Sequence, residues 1–108
     1  MSQVPGPLTA SRVSLADDGS VAEVVMDNGG RAYARYMSMH SWGTWSAWWL
    51  VGASVVDVSI AGQGGGLPGI GQVAPGADGA QALISVVFQG GASGYYVVTS
   101  NGVSGCSF

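Results

Sequence analysis

The chain has 108 residues, 19 of them glycine, with three basic and six acidic side chains and a net charge of −3. That length supports one domain around one core. Three arginines without any lysine argue against nucleic-acid binding, which needs basic residues in number, and high apolar content with little charge argues against a disordered chain.

Low charge and many small residues fit a surface partly covered by neighbouring subunits; the coding bias of a GC-rich source gives the same composition. Cys106 is the single cysteine, so it is either a buried free thiol or half of an intermolecular bridge. The opening Met-Ser-Gln-Val-Pro-Gly-Pro shows neither a basic nor an apolar leader region, so no secretory signal is expected. The longest apolar run, residues 47–56, is broken by Gly52 and Ser54 and falls well short of the roughly 20 residues of a membrane-spanning helix.

Residues 1–9 read as an extended N-terminal arm, followed by a β domain over 10–108. Alternation at Val13 and Leu15 predicts a short first strand, closed by a turn at Asp17-Asp18-Gly19. A second strand runs over 20–26, with Ala22, Val24 and Met26 facing one way and Val21, Glu23 and Val25 the other. Asp27-Asn28-Gly29-Gly30 is a strong hairpin signal, because asparagine and glycine supply positive φ angles. The returning strand, 31–39, places Arg31, Tyr33, Arg35 and Met37 on one face and Ala32, Ala34 and Tyr36 on the other.

All four tryptophans fall within residues 42–49. Each carries about 150–250 Å² that must be buried or used, and a core this small has room for about two such rings. Gly43, Thr44 and Ser46 are poor helix formers, so the segment reads as a strand over 44–51. Trp45, Ala47, Trp49 and Val51 would then share one face and Trp48 and Leu50 the other. Residues 54–60 alternate, with Val56, Val58 and Ile60 inward and Val55, Asp57 and Ser59 outward. The Gly/Pro-rich stretch 61–79 is a loop with one short edge strand near 70–74. Further strands follow over 81–88, 94–99 and 103–108, with turns at Gly90-Gly91 and Asn101-Gly102. A faint echo links Val24-Val25-Met26 and Gly29-Gly30 to Val86-Val87-Phe88 and Gly90-Gly91, and chance recurrence of turn dipeptides is the preferred reading. Seven to nine short strands without a helical stretch predict an all-β, antiparallel sandwich or barrel.

The catalytic inventory is thin. His40 is the single histidine and reads as a turn residue, so no catalytic residue is assigned. His40 and Cys106 cannot complete a zinc shell, and Asp17, Asp18 and Asp27 read as turn formers rather than calcium ligands. No metal or cofactor is expected. Gly64 to Gly69 match Gly-x-Gly-x-x-Gly in letters alone, with Pro68 inside and no helix following.

Tyr33-Ala34-Arg35, followed ten residues later by Trp45-Ser46-Ala47-Trp48, resembles the knob modules of bacteriophage and pyocin tail fibres. Trp-Ser-x-Trp also looks like the blades of bacterial β-propeller lectins. The likeness covers residues 20–51, and Trp49 departs from both patterns. It implies a non-enzymatic, homo-oligomeric module at a virion or extracellular surface, contacting other virion proteins or a cell-surface glycan. Arg31, Tyr33, Arg35, Trp42, Trp45, Trp48 and Trp49 are the candidate contact residues, since indole faces stack on sugar rings and arginine bonds hydroxyls. The alternative is a structural head or tail decoration protein whose tryptophans fill subunit interfaces.

Overall fold

A computed structural model describes residues 4–15, 21–37, 43–62, 66–67, 71–72, 82–99 and 102–106. The expected turn at 17–19, His40, Trp42, Asn101 and most of the 61–79 loop lie outside the described residues. The strands are β1 (Leu8–Leu15), β2 (Val21–Asp27), β3 (Ala32–Met37), β4 (Trp49–Gly52), β5 (Val55–Gly62), β6 (Gly66–Leu67), β7 (Gly71–Gln72), β8 (Ala82–Phe88), β9 (Ser93–Thr99) and β10 (Gly102–Cys106). Among the described residues no helix is long and apolar enough to cross a membrane.

The chain forms an all-β fold of two antiparallel four-stranded sheets. The first has the order β1-β2-β3-β4 and the second β10-β9-β8-β5, while β6 and β7 make a separate two-stranded ribbon. Among the described residues the two sheets share no ladder, so the architecture is sandwich-like. Alternation places Ala22 and Val24 of β2, Ala32, Ala34 and Tyr36 of β3, Val58 of β5, Ile84 and Val86 of β8 and Val98 of β9 in one core between them. Each valine fully withdrawn from water there contributes about 1.5–3 kcal/mol.

Two hairpins organise the ends of the sheets. Asp27 N–H donates to Arg31 O at 3.0 Å and Gly30 N–H to Asp27 O at 3.1 Å. In the second sheet Phe88 N–H donates to Ala92 O at 2.8 Å and Gly91 N–H to Phe88 O at 3.0 Å. The same closing hydrogen-bond pattern therefore occurs twice, with Gly30 and Gly91 at φ 77° and 97°, where side chains are disfavoured; the second turn also has Gly90 at φ 95°. The residues closing the two turns face opposite ways. Asp27 lies in register with outward-facing residues of sheet one, whereas Phe88 packs on the core. The sequence echo therefore follows turn chemistry; strand faces and turns are out of phase by one residue.

The link between sheets passes between these turns. Val55 N–H donates to Gly30 O at 2.7 Å, and Gln89 N–H donates to Ser54 O at 2.8 Å. Ser54 adopts φ 56°, a left-handed conformation that this crossover imposes on a non-glycine residue.

Three expectations change. β1 begins at Leu8, earlier than its alternation suggested, and the stretch before it is fastened: Gly6 N–H donates to Asp27 Oδ2 and Asn28 N–H to Pro7 O. In β5 a bulge between Val55 and Asp57 reverses the expected facing of two residues, burying Val55 (3% exposed) and expelling Val56 (50%), while Val58 and Ile60 face the core as expected. Finally, β4 covers only Trp49–Gly52, so residues 44–48 lie outside any ladder.

Candidate functional site

Hairpin register builds the site. The Asp27–Arg31 closing pair fixes Glu23 opposite Arg35 and Val25 opposite Tyr33, all on the outer face of sheet one. Arg35 Nε–H donates to Glu23 Oε1 at 2.7 Å, with the two side chains 27% and 13% exposed. The other Glu23 oxygen, Oε2, accepts from Ser11 Oγ of β1 at 3.0 Å.

The tryptophan segment reaches this face by an irregular route. Ser46 N–H donates to Tyr36 O at 2.8 Å, and Ser46 Oγ accepts from Tyr36 N–H at 2.9 Å, holding the segment to the edge of β3. Gly43 N–H points to Met37 Sδ. Between these anchors and β4, the Arg35 guanidinium carbon lies 4.1 Å from the Trp45 ring centroid and 4.4 Å from that of Trp48. Each contact is a cation–π interaction worth about 0.5–2 kcal/mol, stronger as water is removed.

The strand expected over 44–51 separated Trp45 from Trp48. Without the ladder at 44–48, both meet the same guanidinium. Trp49 does pack toward the core with Val51, and Leu50 points outward at 46% exposed. Trp45, Trp48 and Trp49 are each half-buried. Contrary to the two-ring core expected, the largest side chain among those fully buried is Tyr33.

Of the candidate contact residues, the structure brings Arg35, Trp45 and Trp48 together. Tyr33, 2% exposed, presents no contact surface. Arg31 is exposed at the turn, away from the stack, where its backbone N–H serves Asp27. Trp49 belongs mainly to the core edge, and Trp42 lies outside the described residues. Glu23 and Ser46 complete the site; Ser46 is the serine of Trp-Ser-x-Trp, whereas Glu23 belongs to neither quoted motif. Counting back from the Asp27–Arg31 turn pairs Glu23 with Arg35, so that partner was readable.

Asp27 supports the site from below. It is the buried polar residue among those described, and its carboxylate accepts from the N–H groups of Gly6, Gly29 and Arg31 at 3.1, 2.9 and 3.1 Å. Burial pushes its pKa up, but the three backbone donors and the Arg31 charge outweigh that effect and hold it below the usual carboxylate value. Among the described residues no three metal-ligating side chains cluster.

Fold and site together define a small all-β module with an aromatic–arginine face. Comparison with family models, curated proteins and solved structures returns no match.

Proposed function

We propose that the chain is a non-enzymatic recognition module of a virion or extracellular surface assembly, binding a cell-surface glycan through the Arg35–Trp45–Trp48 face. The observation that supports this is one guanidinium held against two half-exposed indoles. Two rings immobilised without covering by the core form a rigid platform, and rigidity lowers the entropic cost of binding a sugar. The likeness of Tyr33-Ala34-Arg35 and Trp45-Ser46-Ala47-Trp48 to tail-fibre knobs points the same way. A glycan array tests it: wild-type protein binds a subset of glycans, and Trp45→Ala and Trp48→Ala lose that binding while retaining the β-sheet circular dichroism signal. Binding unchanged in both variants, or no binding by the wild type, overturns the reading.

A second reading rests on a different observation. Val4, Leu8, Val13, Leu50 and Val56 are large apolar residues at 46–67% exposure, on a chain with 8% charged residues. Scattered exposed apolar side chains are ordinary, but with so little charge they suit a structural decoration protein whose subunits cover them. Sedimentation at micromolar concentration separates the cases, because a stable monomer is incompatible with assembly through these residues alone.

A further inference from the structure

The geometry points to an acidic saccharide as the ligand of this face, its carboxylate seated on the terminal nitrogens of Arg35; this rests on the glycan-binding reading above. A guanidinium carries one N–H on Nε and two on each terminal nitrogen. Nε is taken by Glu23 Oε1 at 2.7 Å, and among the described residues no acceptor is bonded to the terminal pair. The Arg35 side chain as a whole is 27% exposed. Trp45 and Trp48 stand over the guanidinium and direct polar approach toward its in-plane edge. That edge is the side from which a carboxylate makes two parallel charge-assisted hydrogen bonds.

Each Glu23 oxygen already accepts one hydrogen bond. Glu23 Oε1 receives Arg35, Oε2 receives Ser11 Oγ, and the carboxylate is largely covered. Among the described side chains of this edge, the groups left open are the terminal N–H donors of Arg35. A neutral sugar hydroxyl both donates and accepts, whereas a carboxylate only accepts and matches that inventory. The sugar ring supplies the apolar C–H surface for the exposed parts of the indoles. Because the chain is net negative, long-range attraction does not favour an anion, and selectivity comes from the fixed guanidinium.

Oligogalacturonate and its full methyl ester, which share one ring and differ in charge, test this by titration of tryptophan fluorescence. The acid binds wild-type protein about tenfold more tightly than the ester, consistent with one charge-assisted bidentate pair. Arg35→Lys, which keeps the charge but loses the bidentate fork, weakens the preference, and Arg35→Met removes it. Glu23→Gln strengthens acid binding several-fold by removing the carboxylate beside the incoming anion, an effect a purely structural ion pair does not produce. Equal binding of acid and ester, preference for the ester, or weaker acid binding by Glu23→Gln overturns this inference and leaves glycan recognition standing. Failure of both probes overturns the carboxylate assignment, and the glycan array then decides separately whether the face recognises any sugar.

Discussion

Ser46 satisfies both backbone polar groups of Tyr36, its N–H donating to the carbonyl at 2.8 Å and its hydroxyl accepting from the N–H at 2.9 Å. A regular ladder would use the backbone for both bonds. The side-chain substitution lets the chain leave strand geometry at residues 44–48 while β3 remains paired. That release turns Trp45 and Trp48 onto one guanidinium.

Replacing Ser46 by alanine removes the acceptor for Tyr36 N–H. Such a loss costs about 1–2 kcal/mol when the freed donor is partly buried. Urea denaturation reads the cost, and tryptophan emission shifts to the red as Trp45 and Trp48 loosen. Unchanged emission together with unchanged stability would show that other contacts hold the segment.

Arg35 and Trp48 are coupled through their stack at 4.4 Å. A double-mutant cycle with Arg35→Ala and Trp48→Ala yields a coupling of about 0.5–2 kcal/mol. Arg35→Ala alone costs more than the coupling, because Glu23, 13% exposed, loses its ion-pair partner. Additive single-variant effects would contradict the stack.

The sequence showed most of the strands and both described hairpin turns clearly, for a physical reason. Ala22 and Val24 in β2 and Ala82, Ile84 and Val86 in β8 alternate and specify the face toward the core, and Gly30 and Gly91 mark turns that need positive φ. The tryptophan segment was harder to read because its course depends on Ser46 bonding β3, a tertiary choice that leaves no periodicity. The bulge at Val55–Asp57 was similarly hidden. Val55 and Val56 are the same residue type, so composition cannot say which of them the crossover at Ser54 turns inward. Tyr33 was misleading because its alternation with Arg31 and Arg35 suggested an open face, whereas Val21, Val25 and Met37 are buried on that same face.

Asp27 links stability to pH. Its folded-state pKa is lowered, while in the unfolded chain it titrates near the ordinary value of about 3.9. Its contribution is therefore fully present above that value and is lost as pH falls through the folded pKa. Asp27→Asn lowers stability at pH 7 by about 1–3 kcal/mol, since the backbone donors lose a charged acceptor. The gap between wild type and variant narrows as pH drops below about 4. Denaturation curves collected from pH 7 to pH 2 measure it, and a gap constant across that range would rule out the carboxylate as its source.

Phe88 occupies a slot lined by two glycines from opposite sheets. A methyl group on Gly94 of β9 would lie 3.0 Å from Phe88 Cε2 and 3.1 Å from Tyr96 Oη, and one on Gly52 of β4 would lie 3.3 Å from Phe88 Cε1. Overpacking of this kind costs about 1–3 kcal/mol. Gly94→Ala is the more damaging change because two ring systems must give way there, whereas at Gly52 one does. Thermal melts rank the variants, and Phe88→Leu restores part of the loss in the Gly94→Ala background by shortening the ring. If Phe88→Leu adds its full cost instead, the clash lies elsewhere.

The bulge in β5 makes neighbouring valines unequal. Val55 is buried against the core and its N–H is bonded to Gly30 O, while Val56 is 50% exposed. Val55→Asp buries an unpaired carboxylate at the crossover and costs upward of about 3 kcal/mol. Val56→Asp stays within about 0.5 kcal/mol of wild type, as surface substitutions do. A regular strand over 54–60 demands the opposite ranking, because Val56 would then face inward with Val58 and Ile60. Chemical denaturation of the two variants side by side therefore tests the bulge directly. It also tests how the crossover at Ser54 carries the chain from the sheet bearing Arg35 to the sheet that backs it.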